Sequence, residues 1–295
     1  MKFRWLPLFA TLILVTSCSP EPEHRLAVLH SELEAIILSS QGRFAVVFEE
    51  IGNPDNKLSI NENVVFHAAS TMKTPVMVEL WRQAKQGERS LDDSISVRNT
   101  FYSIVDGSPY EMDISRDGGD ELYKAIGQKR TLRDLAYDMI TISSNLATNI
   151  LIEEADARRV TDFMRSIGAD SIQVLRGVED MKAFDAGLNN RTTAHDLALL
   201  FRYLLDMGDA ANDMISILAD QTFKDMIGAG VPDGVRVASK SGSITNTAHD
   251  SGIVFLPDGR KYILVILSDQ LESNEEGIRV GADISRRIYE HMVHN

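Results

Sequence analysis

Apolar residues recur at Leu26, Leu29, Leu33, Ile36 and Ile37, the stripe of an amphipathic helix over 25–40 that Gly42 ends. The pattern then becomes strand-like over 43–51 (RFAVVFEEI), breaks at the turn cluster 52–56, and returns over 57–60 as a hairpin partner. From about Phe66 the helical period takes over. It predicts helices over 71–86, 131–142, 145–154, 161–167 and 193–207, with one or two more in 211–227. After Pro232-Asp233-Gly234 the chain reads as strands again, over 235–240, 250–256 and 260–268. The last two flank Pro257-Asp258-Gly259, a hairpin turn. An amphipathic helix over 275–293 closes the chain.

This order predicts an α+β fold. Strands from both ends would pair into one five-stranded antiparallel sheet flanked by the terminal helices. Residues 25–65 and 233–295 would form this α/β lobe, and 66–232 an all-helical lobe. A groove between two lobes is a usual place for a site.

The N-terminus departs from this pattern. Lys2 and Arg4 precede an apolar run, Leu6 to Val15, that is short for a membrane span and reads as an export signal over 1–17. Val15-Thr16-Ser17-Cys18 resembles the lipobox of bacterial lipoproteins. The resemblance implies lipidation at Cys18, a short tether over 18–24, and a membrane-anchored protein facing the periplasm. Ser19 after the cysteine resembles outer-membrane sorting. Cys18 is the only cysteine among 295 residues, so no disulfide forms within the chain.

The composition is that of an ordinary globular protein, 44% hydrophobic and 25% charged. Without residues 1–17 the thirty basic residues fall to twenty-eight against forty-three acids, a net charge of −15. Such acidity argues against nucleic acid and against a polybasic membrane contact. The histidines are scattered, there is no H-E-x-x-H, and neither a metal nor a cofactor is expected.

Three short motifs carry candidate chemistry. Ser70-Thr71-Met72-Lys73 stands at a predicted helix start, so serine and lysine share one helix face. Ser143-Ser144-Asn145 falls at a helix-to-helix junction, and Lys240-Ser241-Gly242 at the end of a predicted strand. Each is a weak signal alone, and Ser59-Ile60-Asn61 repeats the second by chance. Ser70 could be a plain N-cap. A serine hydroxyl can also act as a nucleophile when a base lies in reach, and burial or the neighbouring Lys240 cation would make Lys73 such a base.

In their order and context the three motifs resemble the signature of class A β-lactamases and penicillin-binding proteins. Phe66 to Ala69, 139–151, 190–200 and 252–267 extend the resemblance over nearly the whole mature chain. It implies a monomeric serine hydrolase that opens a β-lactam amide through an acyl-enzyme on Ser70. Alternatives are another ester or peptidoglycan-type amide as substrate, or a sensor lipoprotein that is acylated without turnover. By the same resemblance, the N–H groups of Ser70 and Ser243 hold the oxyanion and Ser143 relays a proton. Lys240 with Ser241, Gly242 and Ser243 receives the substrate carboxylate, and Asn145 a substrate amide.

The family's deacylating loop reads Arg-x-Glu-x-x-Leu-Asn. Here Glu179 follows Arg176 by three positions rather than two, and the family's water-holding asparagine falls at Ala183. Glu179 is therefore the candidate deacylating acid, or else a structural acid paired with Arg176, with Asp180 and Asp185 as stand-ins. The segment 98–130 is long for the family. Its Asp113, Asp117, Asp120 and Glu121 hint at a cation site, or belong to a solvated loop. Its Tyr102 and Tyr110 are candidate pocket residues. The family's carboxylate-binding arginine is replaced by Asp250, and His249 reads as a capping or packing residue.

Overall fold

The computed structural model describes Met1 and residues 22–294. The expected export signal, Cys18 and the start of the expected tether lie outside these. Helix α1 (Pro22–Leu38) begins within the expected tether and leads into β1 (Arg43–Glu50) and β2 (Lys57–Ile60). A two-residue strand β3 (Phe66–His67) and a 3₁₀ turn (Ala69–Met72) precede α2 (Lys73–Lys85). Short pieces follow: β4 (Ser94–Ser96), β5 (Phe101–Tyr102), β6 (Pro109–Tyr110), α3 (Glu121–Lys124) and β7 (Lys129–Thr131). The helical lobe continues through α4 (Leu132–Thr141), α5 (Asn145–Ala155), α6 (Ala157–Ser166) and α7 (Met181–Asp185). Strand β8 (Arg191–Thr192), α8 (Ala194–Leu205) and α9 (Asp209–Ala219) complete it. Strands β9 (Arg236–Ile244), β10 (Thr247–Phe255) and β11 (Lys261–Asp269) lead to the last helix, α10 (Asn274–Val293).

The main sheet has the order β2-β1-β11-β10-β9, and every pairing in it is antiparallel. Chain ends meet in it, since β1 pairs with β11 from Arg43 opposite Asp269 to Glu50 opposite Tyr262. Side chains alternate between two cores. Phe44, Val46, Phe48, Leu264 and Ile266 pack with α1 and α10, while Ala45, Val47, Ile263, Val265 and Leu267 face the helical lobe. A sheet covered on both faces requires the near-continuous apolar run YILVIL. Helix α2 is enclosed by its neighbours, with Lys73 through Trp81 all buried.

Candidate active site

The turn before α2 is built tightly. Ala69 takes a left-handed φ of 45°, and its N–H donates to His67 Nδ1 at 3.0 Å. His249 ties this turn to the sheet. Its Nε2–H donates to the His67 carbonyl at 2.9 Å, and its Nδ1 accepts the Ser268 N–H at 3.1 Å. Burial lowers its pKa to about 4. His249 is thus a neutral packing residue, as one reading of the sequence had it. Ser70 caps no helix: the N-cap of α2 is Met72, with no side-chain cap bond.

Lys73 is fully buried. Its Nζ donates to the Ser143 carbonyl (2.7 Å), Ser143 Oγ (3.0 Å) and Asn145 Oδ1 (3.0 Å). Three acceptors match the three N–H donors of an ammonium. Burial and then the Lys240 charge lower its pKa well below the usual lysine value, against the pull of Asp117 and Glu179. Loss of one proton would free a lone pair one helical turn from Ser70.

Lys240 is also fully buried. Its Nζ donates to Ser143 Oγ at 3.2 Å and to the Ser241 carbonyl at 2.8 Å, so both lysines reach one hydroxyl. Burial brings its pKa down to about 7, opposed by Asp250. The motif lies inside a strand and not at its end, because β9 runs on to Ile244 beside β10. There Gly242 lies flush against the turn that holds Ser70. A Cβ added to it would sit 3.0 Å from both the Ser70 and the Thr71 nitrogen.

Ser70, Asn145, Glu179, Ser243, Arg116 and Arg176 share the lining of one cleft of about 530 Å³. Glu179 Oε1 accepts from Asn145 Nδ2 and Oε2 from the Asp113 N–H, both at 3.3 Å. The position two after Arg176 is Val178, whose backbone is clasped by Asn149. Asn149 Oδ1 accepts the Val178 N–H at 2.7 Å and Nδ2 donates to the Val178 carbonyl at 3.0 Å. Glu179 follows with a left-handed φ of 63°. Ala69, Ser143 and Glu179, three non-glycine residues at positive φ, all stand at this site, as strained residues often do.

Several expectations are corrected. Arg176 does not pair with Glu179. Its guanidinium donates to the Leu188 and Gly177 carbonyls and to Asn189 Oδ1. Asp180 is no stand-in base: it is buried, caps α7 and accepts from Ser103 and Ile104. Asp185 is exposed and does not line the cleft. Tyr102 and Tyr110 line a separate cavity of about 320 Å³ behind Arg176 and Gly177. Asp120 and Glu121 pair with Lys124, and among the described residues no cluster of acids or histidines is arranged to hold a metal. Sequence reasoning missed Asn149 and the role of Asp117, which caps α5 from a distant segment. Asn149 lies one helical turn from Asn145, which was the available signal for it.

The family model for the Beta-lactamase enzyme family matches residues 28–292. A β-lactamase of Bacteroides uniformis is 28% identical over 251 residues, covering 80% of this chain and 82% of the relative. The β-lactamase CARB-3 of Pseudomonas aeruginosa is 24% identical, over 96% of this chain and 97% of its own. A solved β-lactamase structure from Sphaerobacter thermophilus superposes with a TM-score of 0.74 at 26% identity, covering 92% of this chain and 98% of that one. With its sheet, helical lobe and cleft arranged as described, this chain belongs to the Beta-lactamase enzyme family.

Proposed function

We propose that this protein hydrolyses β-lactam amides through an ester on Ser70. The observation that carries this reading is the convergence of the Lys73 and Lys240 amines on Ser143 Oγ, at 3.0 and 3.2 Å, with Lys73 also bonded to Asn145, which lines the same cleft as Ser70. Neutral Lys73 takes the Ser70 proton as Ser70 Oγ attacks the lactam carbonyl. The N–H groups of Ser70 and Ser243 hold the oxyanion, which the close passage of Gly242 makes reachable. The C–N bond then breaks, and the departing nitrogen takes its proton from Ser143, which Lys73 replenishes. Protonated Lys240 attracts the substrate carboxylate, with Ser241 and Ser243 beside it.

Release needs a water and a base. Glu179 takes the proton of the attacking water and returns it to the Ser70 oxygen as the ester opens, which leaves both groups as they began. A carboxylate one residue late in the loop still faces the cleft because its backbone turns left-handed. Ala183 is fully buried and offers the water no partner, so Glu179 and Asn145 hold it. This sparse hold favours a second reading, a penicillin-binding protein whose ester is released slowly.

A chromogenic cephalosporin with mass spectrometry of the protein tests both. Turnover abolished by Ser70→Ala supports hydrolysis, and Glu179→Gln then accumulates an adduct of substrate mass on Ser70. A wild-type adduct that persists supports the slow reading. Absence of any adduct or turnover would sink both and leave another ester or amide as substrate. Unchanged turnover in Glu179→Gln would remove Glu179 from the mechanism.

The lipobox-like stretch supports export and a lipid anchor at Cys18, with the enzyme facing the periplasm, while a monomer is what the family resemblance implies. Cys18→Ala should shift the protein from the membrane to the soluble fraction.

A further inference from the structure

The signature that this chain resembles carries an acid between its serine and asparagine, as S-D-N. Here that middle residue is Ser144. A carboxylate nevertheless stands at the junction, and it comes from the rim segment. Asp117 Oδ1 accepts the N–H of Asn145 at 2.8 Å and of Gly118 at 2.6 Å. Its Oδ2 accepts the Leu146 N–H at 2.8 Å, the Tyr123 hydroxyl at 2.9 Å and the Ser144 hydroxyl at 3.4 Å.

The dock is shaped as well as bonded. A Cβ on Gly118 would overlap the Ile142 carbonyl oxygen, and one on Gly119 would lie 2.5 Å from Ile142 Cδ1. Two glycines thus let the rim lie flush on the residue before Ser143. Tyr123 is locked as a donor, since burial and the Asp117 charge raise its pKa far above the usual tyrosine value. Ser143 itself is held at a φ of 57°, a conformation that needs support from its surroundings. The bonded N–H groups belong to Asn145, whose side chain holds Lys73 and Glu179, and to the residue after it.

We propose that Asp117 is a positioning residue of this site, supplying from the rim the carboxylate that an S-D-N motif carries within itself. It clamps the Ser143–Asn145 junction and so sets where the proton relay and the amide-holding asparagine stand. Asp117 touches no substrate. It acts through backbone N–H groups at the start of α5 and through its charge on Lys73, which is also faced by Lys240 from β9 and Glu179 from the loop after Arg176.

The inference rests on the acyl-enzyme reading, and the test separates the two. Labelling of Ser70 by a fluorescent penicillin is timed across pH for wild type, Asp117→Ala, Asp117→Asn and Asp117→Ser with Ser144→Asp. Asp117→Ala should slow acylation about 100-fold, the scale of a misplaced catalytic group. The double variant should recover to within about tenfold of wild type, since the acid is returned to the junction. Asp117→Asn keeps the shape but removes an anion that favours the Lys73 ammonium. Its acid limb of acylation should therefore move to lower pH. Wild-type rate and pH profile in Asp117→Asn, or a folded double variant as slow as Asp117→Ala, would overturn the proposal. A wild type that takes no label sinks the acyl-enzyme reading instead. Hydrogen exchange then decides for Asp117: the Asn145 and Leu146 amides should exchange faster in Asp117→Asn, and unchanged protection overturns the clamp.

Discussion

Burial brings the Lys240 ammonium down to about 7 even though the Asp250 carboxylate opposes the fall. The free enzyme therefore loses this cation as pH rises through neutrality. For a carboxylate-bearing β-lactam, kcat/KM should fall on the alkaline side with a limb near 7. The limb in kcat should lie higher, because a bound carboxylate favours the charged lysine. Asp250→Asn removes the opposing charge and should move the kcat/KM limb to lower pH. A pH–rate series on the two proteins checks this, and a limb that stays in place would exclude Lys240 as its source. The sequence made Ser70, Lys73, Ser143, Asn145 and Lys240 legible because each sits in a short motif. It hid the role of Asp250, a buried carboxylate beside Lys240 that accepts the Ile227 N–H and bonds to strand neighbours. It also hid Asp117, which meets Asn145 across 28 positions.

At the scale of elements, long periodic helices were readable and short pairings were not. The helix over 131–142 appears as Leu132–Thr141, and that over 193–207 as Ala194–Leu205. By contrast Phe66–His67 pairs with Arg191–Thr192, and Ser94–Ser96 with Lys129–Thr131, in strands too brief to show a period of two. The pairing at Arg191–Thr192 and side-chain clasps nonetheless hold the loop that carries Glu179. Asn149 grips both backbone groups of Val178, and Asp180 binds Ser103 and the Ile104 N–H of the rim segment. Asn149→Ala would leave the Val178 N–H and carbonyl without partners, at a cost of about 1–3 kcal/mol. Its larger effect should fall on Glu179, the next residue. Stopped-flow measurement should show ester release slowed by more than acylation. Equal slowing of both steps would mean that Asn149 supports the whole site and not the loop alone.

On the scale of the whole molecule, one sheet separates two cores and belongs to both. The period-two alternation within β1 and β11 assigns Phe44 and Ile266 to one core and Ala45 and Val265 to the other. Strand β9, which carries Lys240 and Gly242 toward the cleft, sends Val237 into the core beneath α10 and Ala238 into the helical lobe. Loss of either core therefore removes the site. Ile284, fully buried on α10, takes no part in the cleft. Ile284→Ala should lower stability by about 2–5 kcal/mol through lost burial and the cavity left behind. Below its melting temperature, acylation of Ser70 should match wild type, because no group at the cleft has changed. On heating, helical circular dichroism and the capacity of Ser70 to be labelled should disappear together, as one cooperative transition. Were the helical signal to outlast labelling by a separate transition, the two cores would be independent folding units and the sheet merely an interface between them. The pairing of β1 with β11, which joins residues more than two hundred positions apart, argues for the single transition.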